Sequence, residues 1–261
     1  MTTMGCSSRD GYDDRGEMME SPTKRLLDEL PDARSVLVVC AHPDDESFGL
    51  GAVLAKLGEL GSSTSVLCFT HGEASTLGAD SGDLGRVRAG ELGRVRAGEL
   101  AAAASELGVG NVELLDYRDG RLAEEKMDEL TAPIRRATER AMVDLLLVFD
   151  EGGITGHPDH CRATEAGIAA ARELDLPVLA WALPQRVTEV LNSEFSAGFV
   201  GRRDEELDYF VSVERTRQLR AIDQHVSQAT DNPVLGRRLE LQGNREAFRW
   251  LSRPRGTTTC Q

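Results

Sequence analysis

Apolar residues along the chain follow two alternating patterns. Ser35–Cys40 (SVLVVC), Ser63–Thr70 (STSVLCFT), Asn111–Leu115, Asp144–Asp150 (DLLLVFD) and Pro177–Leu183 are short runs with the apolar and β-branched content of strands. Between them, Ser47–Leu60, Leu92–Leu107, Glu124–Ala141 and His160–Glu173 place apolar residues at helical spacing. A strand covered on one face alternates apolar with polar. Ser35–Cys40 does not after Ser35, so it is predicted to be buried on both faces, as in a parallel sheet. Repeated strand–helix units predict an α/β fold: a Rossmann-like, mainly parallel sheet with right-handed crossovers and helices on both faces. With the usual strand order 3-2-1-4-5, a ligand site is expected at the carboxyl ends of the first and fourth strands. Further on, Leu207–Val213 predicts one more strand, and Glu214–His225 and Arg237–Leu251 predict helices.

Composition narrows the picture. Residues 1–30 lack apolar periodicity and are expected to form a disordered tail, leaving residues 31–255 as one domain. A net charge of −14 argues against nucleic acid and against stable docking on anionic membranes. Five scattered cysteines suit reduced thiols, and no long apolar segment opens or crosses the chain, so a cytoplasmic location is expected. A homo-oligomer is left open. The octapeptide Gly85–Leu92 recurs unchanged as Gly93–Leu100. Eight residues turn a helix about 80° past whole turns, so the two Arg-x-x-Glu pairs cannot share a face. The second copy runs into the Ala-rich helix and puts Arg96 and Glu99 in register; the first is expected to be functionally inert.

The chemistry concentrates in a tripeptide that occurs twice. His42-Pro43-Asp44-Asp45-Glu46 and Gly156-His157-Pro158-Asp159-His160 each follow a predicted strand and hold three of the five histidines. A lone His-Pro-Asp is an ordinary turn with a helix cap, but two at strand carboxyl ends suit a metal site. His42 and Asp45, three apart, can face one point, and His160 is the best third ligand. Two histidines and a carboxylate leave a coordination position open, as in catalytic zinc sites, with ferrous iron as the alternative metal. Asp44 beside the ligands is the candidate general base, and His157 the candidate partner for a developing oxyanion. Asp159 is expected to hold the His157 ring, and Glu46 to support the ligands from behind. His71 is a turn residue or reaches the same crevice; His225 is read as structural. No Gly-x-Gly-x-x-Gly follows the first strand, which disfavours a dinucleotide-binding protein.

These paired segments resemble the PIG-L/LmbE family of zinc-dependent N-deacetylases. Thr70-His71-Gly72-Glu73, the helix with Arg96 and Glu99, Tyr117-Arg118-Asp119 and His225-Val226-Ser227-Gln228 support the resemblance, which runs from about Ser35 to Trp250. It implies His42, Asp45 and His160 as metal ligands, Asp44 as base, and His157 with Asp159 as the electrophilic pair. It also implies Arg96 as a substrate-binding residue, with Arg88 of the first repeat as its rival, and Asp119 as a sugar-hydroxyl acceptor. The implied reaction removes an N-acetyl or acyl group from a small amino-sugar substrate such as an N-acetylglucosaminyl conjugate. An amidase for thiol-sugar conjugates and a non-catalytic metal-binding module are the alternatives; a binding module would not need Asp44. Thr155 stands where the mycothiol-pathway members carry a tyrosine, which counts against that substrate. Loops near residues 72–92 and 184–206 are expected to set substrate choice.

Overall fold

The computed structural model describes residues 30–76 and 89–254; of the expected tail (residues 1–30) only Leu30, which is buried, falls within them, and residues 85–88 of the first repeat copy, Arg88 among them, lie outside. All five predicted strands form: β1 (Ser35–Cys40), β2 (Ser63–Thr70), β3 (Asn111–Tyr117), β4 (Leu145–Phe149) and β5 (Val178–Pro184). They are parallel in the order β3-β2-β1-β4-β5. A two-residue β6 (Gly201–Arg202) pairs with the end of β5. β7 (Tyr209–Ser212) and β8 (Arg245–Ser252) extend the sheet, with β8 antiparallel to both β5 and β7.

Both faces of the sheet are covered. Val36, Val38 and Cys40 of β1 join one core with α2 (Gly51–Glu59), α3 (Ala89–Leu107) and α7 (Thr216–Gln224). Leu37 and Val39 join the other with α4 (Met127–Ala141) and α5 (Pro158–Leu174). This two-sided burial is why β1 reads as an unbroken apolar run. Phe149 at the carboxyl end of β4 and its neighbour Trp181 in the middle of β5 both join the first core.

Three segments differ from the sequence reading. Ser47–Leu60 is not one helix: a single turn, α1 (Asp45–Phe48), precedes α2. Residues 185–195, expected as loop, form α6 (Gln185–Phe195), and after α7 come a short α8 (Val226–Ala229) and α9 (Pro233–Gln242). Arg237–Leu251 is not a helix throughout. Asn232 caps α9 by accepting from Leu235 N–H (3.0 Å), with Pro233 at the first helical position. The helix stops at Gly243, whose φ of +55° suits a residue without Cβ, and the chain returns as β8. Pairing with β5 and β7 overrides the helical look of REAFRWLS.

Candidate metal centre and its cavity

Because β1 and β4 are neighbours while their following helices lie on opposite faces, the segments leaving them meet in a crevice. His42 Nδ1 lies 3.0 Å from His160 Nε2, and His160 Nε2 lies 3.2 Å from Asp45 Oδ1. Ligands around a tetrahedral zinc stand about 3.3 Å apart, so these spacings fit a shared cation. The ring environments agree. His160 Nδ1 donates to Gly153 O (3.0 Å), which leaves Nε2 without a proton. His42 Nε2 faces Asp119 Oδ1 at 2.9 Å and Asp159 Oδ2 at 3.5 Å, leaving Nδ1 for the metal. Asp45 Oδ2 accepts from Ala41 N–H (3.1 Å) and His42 N–H (3.0 Å), which aims Oδ1 inward. Two bare imidazole nitrogens facing each other beside a carboxylate would repel unless a proton or a metal ion lay between them. His42 is also the shared member of two wider donor groups, with His157 and His160 and with Asp119 and Asp159. The trio of His42, Asp45 and His160 is favoured because the Nε2 side of His42 is already occupied by carboxylates that orient the ring.

Asp44 sits beside this trio in a backbone conformation that L-residues rarely adopt, φ +120° and ψ −27°. Its N–H donates to Glu46 Oε2 (3.0 Å), and its carbonyl accepts from Ser47 and Phe48 N–H (3.0 and 2.7 Å) to start α1. Arg96 Nη2 donates to Asp44 Oδ2 (3.1 Å) and Pro43 O (2.5 Å), and Nη1 to Gly72 O (2.6 Å). Burial pushes the Asp44 carboxyl up to about 6, against the downward pull of Arg96. Asp45 goes the other way: burial raises it, but His160 and His42 outweigh burial and hold it well below the usual carboxylate range. His157 caps α5, and its Nδ1 accepts from Asp159 N–H (3.2 Å). That bond places the ring proton on Nε2. Burial, with the neighbouring His42 and His160, lowers its pKa.

The crevice therefore assembles His42, Asp44, Asp45, His157, His160, Arg96 and Asp119 around one cavity of about 360 Å³. Asp159 needs correction. Its carboxylate does not hold the His157 ring; it accepts from Gly120 N–H (2.7 Å) and Leu122 N–H (3.1 Å) and faces His42, while its backbone N–H orients His157. Being fully buried under the 120–122 turn, it is turned away from the ring two residues earlier. Asp119 has one oxygen at His42 and the other accepting from Ala74 N–H (2.8 Å), so it orients the His42 ring as well as lining the cavity. Arg96 is buried rather than paired on the surface with Glu99, which instead accepts from Ser227 N–H and Oγ (2.8 and 2.6 Å). His71 stays out of the cavity, with Nε2 3.0 Å from Asp116 Oδ1.

Two further groups complete the site. His225, fully buried between α7 and α8, lies 2.7 Å from Glu46 Oε1, so Glu46 ties the Asp44 backbone to the far end of the chain. The cavity also has an aromatic wall of Phe48, Phe149, Trp181 and Phe199, with Arg238 of α9 at its edge. The tetrapeptide His225–Gln228 was a visible signal for the first; nothing local marks the second.

The family model described as "PIG-L: GlcNAc-PI de-N-acetylase" matches residues 37–171. A 1D-myo-inositol 2-acetamido-2-deoxy-alpha-D-glucopyranoside deacetylase of Kineococcus radiotolerans is 31% identical over 186 residues, covering 62% of this chain and 51% of that protein. The enzyme of the same name from Salinispora arenicola is 30% identical over 209 residues, 73% of this chain and 67% of that protein. The chain thus spans between half and two thirds of the length of these relatives. Among solved structures, the N,N'-diacetylchitobiose deacetylase of Pyrococcus horikoshii superposes with a TM-score of 0.61 at 22% identity over 85% of each chain, a likeness of fold. The matched segment carries both His-Pro-Asp motifs and more than half of the chain, and with these relatives it establishes that the chain belongs to the PIG-L family of de-N-acetylases.

Proposed function

We propose that the protein is a metal-dependent hydrolase that removes an N-acetyl or acyl group from an amino sugar, such as an N-acetylglucosaminyl conjugate. The convergence of His42 Nδ1, Asp45 Oδ1 and His160 Nε2, with Asp44 beside them on one cavity, carries this reading. A divalent metal held by His42, Asp45 and His160, zinc by preference and ferrous iron as the alternative, would supply Lewis-acid polarisation and a water of lowered pKa. Asp44 takes the proton of the attacking water, and Arg96 holds its carboxylate in place. His157 donates from Nε2 to the amide oxygen as negative charge builds there. The proton on Asp44 then passes to the leaving nitrogen, so amine and acid separate. Asp119 and Asp159 keep the His42 ring turned. No helix among the described residues is long and apolar enough to cross a membrane, and Cys40, Cys68 and Cys161 are free thiols, which supports a cytoplasmic placement.

The test joins metal analysis to acetate release from a panel of N-acetylglucosaminyl compounds. One metal ion per chain and acetate release from at least one compound are expected. His160→Ala should lose more metal affinity than the roughly 10–100-fold that removal of an outer partner costs, and activity with it. Full metal occupancy in that variant, or a metal-loaded protein inert on every amide, would overturn the reading.

Gly72→Ala probes Arg96 without touching it. Gly72 has φ +62°, and a Cβ there would lie 2.1 Å from Arg96 Nη1 and 2.3 Å from Cζ. The guanidinium must lift, weakening a charge-assisted bond to Asp44 worth about 1.5–3 kcal/mol. A fall of about tenfold or more in kcat/KM is expected, with metal content unchanged. Wild-type kinetics would mean that Asp44 does not depend on Arg96.

A further inference from the structure

Behind the aromatic wall lie three buried charges. Arg215, Glu246 and Arg238 are 7%, 0% and 4% exposed. Arg215 Nη1 is 2.6 Å from Glu246 Oε1, so these two neutralise each other. Arg238 has no carboxylate within 4.0 Å among the described residues. It donates from Nη1 to Gln242 Oε1 (2.8 Å) and from Nη2 to Phe48 O (2.5 Å), both neutral acceptors, and its guanidinium lies 5.2 Å over the Trp181 ring. Burial lowers its pKa to about 10, with Glu246 opposing the fall and Arg215 adding to it. The cluster therefore keeps one uncompensated positive charge, inside a chain whose net charge is −14. An unpaired buried cation is costly, and a bound anion would relieve that cost.

This charge opens on the same cavity as the metal ligands. The His160 and Phe149 rings are 5.3 Å apart, as are Phe149 and Trp181, and Arg238 completes the strip. At the other end the carboxylates already have partners: Asp44 has the cationic Arg96, and Asp45 and Asp119 face histidine rings. The metal end falls within the family-matched residues 37–171, whereas Trp181, Phe199, Val234 and Arg238 lie beyond them. The aromatic and cationic end is thus built from Phe48 and Phe149 within the matched residues and from side chains beyond them.

We infer that Arg238 is the counter-ion for a carboxylate or phosphate carried by the substrate, reached from the metal end along the Phe149–Trp181 strip. The inference rests on the proposed amide hydrolysis only for the position of the amide. The anion belongs either to the amine portion or to the acyl portion, and the two reaction products carry these sources separately.

Calorimetric affinities on the metal-loaded full chain test this without turnover, so a failure of the proposed reaction reads out separately. In the amine arm, butyl glucosaminide is compared with its ω-carboxylate and ω-phosphate analogues. In the acid arm, valerate is compared with glutarate. In one arm the anionic member should bind at least tenfold tighter than its neutral-tailed partner. That preference, taken as a ratio within each protein, should fall below threefold in Arg238→Gln. Should that variant fail to fold, Val234→Glu serves: it adds a carboxylate one helical turn before Arg238 at a half-buried position and should abolish the preference by internal pairing. A preference under threefold in both arms of the wild type, or one that survives these substitutions, would overturn the inference.

Discussion

Asp44→Asn should retain the metal and lower kcat by at least about 100-fold, the scale of a lost general base. Asn keeps the size of the side chain and an oxygen for Arg96 Nη2, which now lies 3.1 Å from Oδ2. It also tolerates positive φ better than most residues, so the unusual Asp44 backbone (φ +120°) should persist, held by its bond to Glu46 and those it accepts from Ser47 and Phe48. What Asn lacks is the ability to accept a proton. Asp44→Ala would mix that loss with backbone strain, which makes Asn the cleaner replacement. Metal content, thermal midpoint and acetate release measured on one preparation separate the possibilities. An unchanged metal content and midpoint with a collapsed kcat supports the base. Turnover within a few fold of wild type would remove Asp44 from the mechanism and leave the role of base to another group at the site.

The parts of the molecule that were legible in sequence are those whose causes are local. β1 and β4 read as strands because they are buried on both faces and carry no polar residue that would blur the run. His42, Asp45 and His160 were found because ligand spacing and position after a strand are chain-local properties. The distant partners on which other roles depend are not legible locally. The Asp159 carboxylate meets the backbone of Gly120 and Leu122, 37 to 39 residues away, and not its near neighbour His157. The partner of Glu46 is His225, 179 residues on. The last strand shows the same limit: Arg245, Glu246 and Arg249 look like the polar positions of a helix. Glu246 is instead buried, because Trp181 and Arg215, 65 and 31 residues away, supply its hydrogen bonds.

That buried carboxylate sets the largest stability effect expected in this molecule. Glu246→Ala should lower the unfolding free energy by about 3–5 kcal/mol, the cost of stranding one member of a buried ion pair. Glu246 Oε1 accepts from Arg215 Nη1 (2.6 Å), and Oε2 accepts from Trp181 Nε1 (2.6 Å) and Gln242 Nε2 (2.9 Å). Alanine removes both acceptor oxygens and the three hydrogen bonds they receive, and Arg215 then joins Arg238 as a second buried cation without a carboxylate. The loss is a large fraction of the roughly 5–15 kcal/mol that holds a domain together. Its effects would reach the site. Arg215 also holds Gln218 (2.6 Å), and Gln218 Nε2 donates to Ser47 and Phe48 carbonyls (3.0 and 3.1 Å) at the end of the turn that carries Asp45. Glu246→Gln retains an acceptor and should lose less. Urea unfolding of both variants, with metal affinity measured on the folded fraction, checks the argument. A loss under about 1 kcal/mol for Glu246→Ala would mean that water replaces the carboxylate at Arg215. The wall behind Trp181 would then be open to solvent, and the charge balance that isolates Arg238 would no longer hold.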